Sequence, residues 1–359
     1  MSPADTFAQA TQLLRDGQAL ETQATAEALA TAVRCYEQSL TLLRTLPLAH
    51  AEVRHQLAIV SMNRANALQR QNSPVTLAAA VHGYDEAIAF LRTLPLEQSA
   101  DVRNTLGAAW MNRGHALFLQ ADPAHVAEAV RSQGEAVAIL RTLPLDQNRS
   151  FRLNLAAAWM NQANALLALD DDQPAAAAAR EAMTIAAAAE ANDPLLADIG
   201  LKARRARCEA IGRLLYTATR RRESTDALAD EASDLVDEGL ALARRWEVRG
   251  ETRFRHVASR LFRFGAQLYR LHLPDFLAEF LLEHVDPERS AGAMSDTGEC
   301  YDIATDALAA ARQDLESRRT VFLDTPETAQ LLERLRDLRA AAARLDELRA
   351  RHLSTAAKP

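Results

Sequence analysis

The sequence predicts an all-α solenoid, a stack of helical hairpins repeated along the chain. Three observations point to it. The hexapeptide Leu-Arg-Thr-Leu-Pro-Leu occurs at Leu43–Leu48, Leu91–Leu96 and Leu140–Leu145, at steps of 48 and 49 residues. A fixed period of that size marks a stacked array. Inside a unit the apolar residues recur at three- and four-residue steps, as in Val102, Leu106, Ala109, Trp110, Met111, Gly114, Leu117 and Phe118, which is helical spacing. Finally, 359 residues contain only 12 Gly and 12 Pro, too few turn residues for an all-β chain.

Each unit opens with a first helix whose text also repeats: Ser61-Met-Asn-Arg-Ala-Asn-Ala-Leu68, Trp110-Met-Asn-Arg-Gly-His-Ala-Leu117 and Trp159-Met-Asn-Gln-Ala-Asn-Ala-Leu166. The pairs Ser73-Pro74 and Asp122-Pro123 start the second helices, with Gln173-Pro174 at the matching place of the fourth unit. A capping side chain precedes a proline whose missing N–H costs nothing in a first turn. Ala80, Tyr84, Ala87, Ile88 and Leu91 then form one apolar face. The proline of the hexapeptide disfavours helix at the residue before it, so the second helix should end there.

The frame extends outward. Leu13–Leu20 is the first helix of the first unit, followed by Ala32, Tyr36 and Ser39 on its second helix. Cys208–Leu215 and Leu261–Leu268 continue the series as fifth and sixth first helices, and Tyr301–Leu308 as a degenerate seventh. A short helix is expected over Asp275–His284 after Pro274. Residues 286–299 read as a flexible loop, because Pro287, Gly292 and Gly298 interrupt any period. The last helix starts at Thr325-Pro326-Glu327 and carries an apolar stripe of Leu331, Leu332, Leu335, Leu338, Ala342, Leu345 and Leu348. Such a helix covers the final face of a solenoid, or pairs two copies as a coiled coil. The tail after His352 is expected to fray. Four segments result: regular repeats over 1–191, degenerate Arg-rich repeats over 192–285, the loop 286–299, and a last repeat with capping helix over 300–359.

Trp110-Met111-Asn112-Arg113-Gly114-His115-Ala116-Leu117 resembles the first helix of the tetratricopeptide repeat, and Ala80, Tyr84 and Ala87 resemble its second. The period is longer than that family's usual repeat of about 34, and Arg64 and Arg113 stand where the family has an apolar residue. Longer-helix relatives are the better comparison. The resemblance implies a right-handed superhelix whose first helices line a concave groove. It also implies the groove residues: Met62, Asn63 and Asn66; Met111, Asn112 and His115; Met160, Asn161 and Asn164; with Arg15 and Gln18 in the first unit and Arg70 in the second. Asn amides both donate and accept, and Met adapts to varied side chains, which suits an extended peptide. Asn at the sixth position also bridges neighbouring helices in this family. Met stands where some relatives carry a Lys/Asn clamp for a terminal carboxylate, so no taste for chain ends is implied.

Charge narrows the classes further. The net charge is −7, yet residues 202–270 carry 16 Lys+Arg against 10 Asp+Glu. Within that basic centre, Arg204-Arg205-x-Arg207 and Arg220-Arg221-Arg222 are clustered, and Phe254, Phe262, Phe264 and Tyr269 alternate with Arg. Rings interleaved with Arg suit single-stranded nucleic acid; a core face backed by a solvated Arg face explains the same spacing more simply. Arg44, Arg92 and Arg141, with Arg54, Arg103 and Arg152, recur in phase and are expected to pair with neighbouring carboxylates or lie over the seams. Cys35, Cys208 and Cys300 are too far apart for a metal spacing or a disulfide framework. His272 and His284 flank the short helix without the further ligands zinc would need. No apolar run is long enough for a membrane span, and the Met-Ser-Pro-Ala-Asp start lacks the features of a secretory signal. No phosphate loop, His-Glu-x-x-His or nucleophile elbow is present. The expectation is a cytoplasmic, non-enzymatic scaffold without cofactor or metal, binding a protein or peptide partner, with a homodimer through the C-terminal helix as an option. Two alternatives stand beside it: a ligand- or peptide-responsive regulatory sensor, and nucleic-acid binding through residues 202–270.

Overall fold

The computed structural model describes residues 2–286, 298–319 and 326–356, all helices and the turns that join them. The chain divides into two compact units, residues 1–188 and 189–359.

The first unit is four hairpins: α1 (Pro3–Glu21) with α2 (Ala26–Leu43), α3 (Ala51–Gln71) with α4 (Pro74–Leu91), α5 (Ala100–Phe118) with α6 (Pro123–Leu140), and α7 (Arg149–Ala168) with α8 (Asp172–Ala187). Each helix packs on its chain neighbours, and the first helices also touch one another in the order α1, α3, α5, α7. The second helices do not approach each other to the same extent. First helices therefore form the closer layer of the stack. The repeats are tetratricopeptide-like helical hairpins in an all-α solenoid.

Close approach within a hairpin comes from small residues set against large ones. A Cβ on Gly17 would sit 2.4 Å from the Tyr36 ring. At Gly114 the same atom would sit 2.5 Å from the Gln133 amide and 3.1 Å from the Ala129 carbonyl oxygen. Gln133 thus occupies the place that Tyr36 and Tyr84 take in the first two hairpins, and its buried amide donates to the Met111 carbonyl at 2.9 Å. Starts follow the expected chemistry. Ser73 and Thr76 form a reciprocal capping box ahead of Pro74, and Asp122 caps α6 ahead of Pro123. The fourth second-helix departs from expectation: α8 begins at Asp172, before Gln173-Pro174, and has no side-chain cap.

The hexapeptide also behaves differently from its sequence reading. The second helices end at Leu43, Leu91 and Leu140, three residues earlier than the proline alone requires. Threonine accounts for this: Thr45, Thr93 and Thr142 donate to the carbonyls of Leu42, Phe90 and Ile139, each at 2.7 Å. The same carbonyls accept the threonine backbone N–H at 3.0–3.1 Å, so amide and hydroxyl together close the last turn before the proline. Leu43, Leu46 and their counterparts Leu91, Leu94, Leu140 and Leu143 are buried, but Leu48 is half exposed.

The second unit begins with the long helix α9 (Pro194–Arg221), capped by Asp193, followed by α10 (Asp226–Val248), α11 (Arg255–His272) and α12 (Leu277–Val285). Then come α13 (Gly298–Arg319) and α14 (Pro326–Ala356). Here α9, α11 and α13 play the part of first helices, α11 touching both of the others. The expected loop 286–299 lies, over 287–297, outside the described residues. α14 packs on α12 and α13 of the same chain. Leu335, Leu338, Ala341, Leu345 and Leu348 are buried there, whereas Leu332 is exposed. Arg344 grips the buried Asp286 carboxylate with two hydrogen bonds, at 2.8 and 3.1 Å. The buried part of the stripe thus covers α12 and α13 of the same chain. Its helix runs on to Ala356, so the frayed tail expected after His352 is helical for four further residues.

Candidate functional site

The groove residues implied by the repeat all stand on α1, α3, α5 and α7, and the structure divides them by use. Arg15 and Gln18 are exposed on α1. Met62, Asn63, Met111, Met160 and Asn161 are half-buried along the next three first helices. Met62 packs against the cluster that includes Trp110, and Met111 against the one shared by Trp110 and Trp159. Asn63 spends its amide on its own helix, donating to the Ile59 carbonyl at 3.1 Å.

Asn66, Asn112 and His115 are joined to each other through a polar seam. The Asn66 side-chain oxygen accepts from Tyr84 at 2.7 Å and from the Asn112 amide at 3.1 Å. Tyr84 also lies 3.1 Å from the Gln69 oxygen, and the Gln69 amide meets His115 Nδ1 at 2.9 Å. One step further, Asn154 on α7 donates to Asn104 on α5 at 2.9 Å. These bonds tie α3 to α5 and α5 to α7. Burial pushes the Tyr84 hydroxyl well above the usual tyrosine range and pulls His115 below the usual histidine value. His115 is therefore the neutral imidazole in the seam at neutral pH. Arg70 is likewise a bridge, donating to the Glu21 carbonyl at 3.1 Å, while Tyr36 donates to the Glu21 carboxylate at 2.5 Å. Asn164 is also engaged.

Sequence reasoning missed Gln69, Tyr84, Asn104 and Asn154 as members of this seam. A signal existed: Asn66 with Asn112, and Gln69 with His115, are each 46 residues apart. That is one period less about one helical turn.

Five of the six repeated arginines have contacts within the array, and Arg141 is exposed. Arg54 donates to the Leu48 and Ala49 carbonyls at 2.6 and 2.9 Å, and Arg103 to those of Leu96 and Glu97 at 2.9 and 3.2 Å. Arg152 reaches Asp146 at 3.0 Å. Each reaches back from a first helix to the turn that precedes it. In the hexapeptide, Arg44 pairs with Glu86 at 2.5 Å and Arg92 lies 5.2 Å over the Trp110 ring. Arg64 and Arg113, the departures from the family pattern, pair with Glu37 and with both Asp85 and Glu128 on second helices.

In the second unit the basic centre divides: Arg204 and Arg207 are buried, whereas Arg220, Arg221 and Arg222 are exposed. The buried Arg204 pairs with Glu190 at 2.9 Å and Glu238 at 3.5 Å, and the buried Arg207 with Glu231. Phe254, Phe262 and Tyr269 are buried too, so these rings are unavailable for stacking on bases. Both nitrogens of the buried His284 are in use. Arg244 can only donate, so Nδ1 accepts, and the Nε2 proton points to Asp237 at 3.2 Å. No group of three His, Cys, Asp or Glu among the described residues is placed to hold a metal ion. Cys208 is buried, which pushes its thiol up to about 12. A pocket of about 450 Å³ opens between α9 and α11. Arg205, Glu209, His256, Arg260, Arg263 and Phe264 are among its walls. No helix among the described residues is long and apolar enough to cross a membrane.

The hairpin array is tetratricopeptide-like. No family model matches the chain, and no curated protein matches it. Among solved structures, it is similar to a Signal Transduction ATPase with Numerous Domains (STAND) protein with a tetratricopeptide repeat sensor from Pyrococcus horikoshii. Identity there is 11% and the TM-score 0.42, over 96% of this chain and 55% of that one. A circular tandem repeat protein with novel repeat topology and enhanced subunit contact surfaces is similar at 13% identity and a TM-score of 0.35, over 99% of this chain and 86% of that one. The chain thus spans little more than half the length of the first of these.

Proposed function

We propose that the chain is a non-catalytic binding scaffold, and that a peptide or helix of a protein partner docks on its first-helix layer. The observation that carries this reading is the polar seam. Asn66–Asn112, Gln69–His115 and Asn104–Asn154 lock α3, α5 and α7 side by side before any partner arrives. A surface built in advance loses less freedom on docking, and that saving appears as affinity. Beside the seam, half-buried Met62, Met111 and Met160 give adaptable apolar contact, and Arg15, Gln18 and Asn161 give polar reach. The nucleic-acid alternative loses one of its two arginine clusters, since Arg204 and Arg207 pair with carboxylates of the same unit, and keeps the exposed Arg220, Arg221 and Arg222.

Photo-crosslinking residues placed one at a time test the reading. Positions 18, 63 and 161 report on the first-helix layer, and positions 38, 89 and 138 on the second-helix layer. With a peptide selected from a random display library against the full chain, the first set should crosslink and the second should not. Crosslinks confined to the second set would place the working surface on the other side of the stack.

A further inference from the structure

We infer that the groove between α9 and α11 is a docking surface for an acidic peptide segment, with the Arg260 guanidinium and the His256 imidazole as its open contacts. This deepens the scaffold reading, on which it rests, by naming a second surface and the chemistry it selects.

The groove's charges divide into used and unused. Arg205 pairs with Glu209 at 2.8 Å, and Arg263 with Glu299 at 3.1 Å. Arg260 and His256 are exposed on α11, one turn apart, and neither has an ion pair or hydrogen bond among the described residues. Both line the pocket, whose wall includes the apolar faces of Leu261 and Phe264. An open guanidinium beside an apolar wall suits a carboxylate, which it grips with two parallel hydrogen bonds, followed by an apolar side chain.

Length favours a peptide over a small anion. Along α9 the same helical stripe continues from Arg205 and Glu209 to Arg213, Tyr216 and Arg220. Tyr216 is 65% exposed, with the Arg220 guanidinium 5.8 Å from its ring centre. Fifteen residues of helix span about 22 Å, which an extended peptide of about seven residues would cover. Charge pattern favours a peptide over nucleic acid. Glu209 and Glu299 stand between the arginines, where they would repel an unbroken row of phosphates but leave room for spaced carboxylates. Phe254, Phe262 and Tyr269 are buried and offer no stacking platform, which leaves Tyr216 as the exposed ring of the stripe.

The test selects a random peptide library on phage against the full chain, then repeats binding with His256→Glu plus Arg260→Glu. Neither side chain holds the fold, so circular dichroism should be unchanged. The expected result is a family of acidic peptides whose binding falls at least tenfold in the double variant. A single Arg260→Gln should lose less, since it removes one charge without reversing it. Enriched peptides that are not acidic, or that bind the variant equally, would overturn the acidic groove and leave the scaffold reading standing. No enriched peptide at all would overturn both. A labelled single-stranded oligonucleotide binding more tightly than the acidic peptides at 150 mM salt would also overturn the proposal.

Discussion

Single residues here repay attention to what each atom is bonded to. His115 looked like a groove contact, yet it sits part-buried and neutral against Gln69. A folded-state pKa below the unfolded value of about 6.5 gives stability that is complete above that pH and is lost as pH falls through the window below it. Thermal melts should therefore decline from about pH 6.5 downward, and His115→Gln should flatten that part of the curve. A profile unchanged by the substitution would remove His115 from the seam's proton balance. Thiols offer a second reading at this scale. Cys208 and Cys300 are buried and Cys35 is partly exposed, with the Cys208 thiol pushed up to about 12. A thiolate is the reactive species, so a disulfide reagent should label Cys35 in the native protein and reach Cys208 only on unfolding. At Gly114 any side chain must displace a buried, hydrogen-bonded Gln133 and approach a backbone carbonyl. Gly114→Leu should cost about 1–3 kcal/mol of unfolding free energy by denaturant titration, as overpacking does.

Helices and turns show how far the sequence could be read. The helices α1 to α7, and the capping role of α14, follow from period, capping pairs and small-residue spacing, because these depend on neighbours close in sequence. Seam bonds and arginine clips were not legible in the same way. Both depend on which rotamer a side chain takes toward another repeat, and nothing in a local window fixes that. Asn66 shows the difference: its place on the first helix was readable, but its acceptance from Tyr84 and Asn112 was not. The hexapeptide shows it too. Its proline was visible as a stop, while the threonine amide and hydroxyl end the helix sooner. At the C-terminal end, Arg344→Ala would leave Asp286, 2% exposed, without its bidentate partner. Unpairing a buried carboxylate should cost about 3 kcal/mol, and a melt of the full chain would show it as an early loss confined to the second unit.

For the whole molecule, two units of the same helical style are specialised differently. The first spends its polar side chains on joining repeats and keeps a regular layer of Met, Asn and Trp. The second buries Arg204 and Arg207 against carboxylates and leaves a pocket beside α11. A binding partner that touched both layers would register two chemistries at once, one apolar and amide-rich, the other cationic. Salt separates them: contacts at Arg260 weaken between 50 and 200 mM, while those at Met62 and Met160 hold.

The joint between repeats has a consequence for how such a chain changes length. Its parts are all local. Threonine closes the outgoing helix within the hexapeptide, and an arginine from the incoming helix holds the carbonyls that follow it. Since the three hexapeptides are identical in text, a splice between any two of them writes no new junction. Copying residues 92–140 in after position 140 would add one hairpin with native joints at both ends, and deleting the same stretch would remove one. The chain is in this sense a ruler marked in steps of 48 and 49 residues.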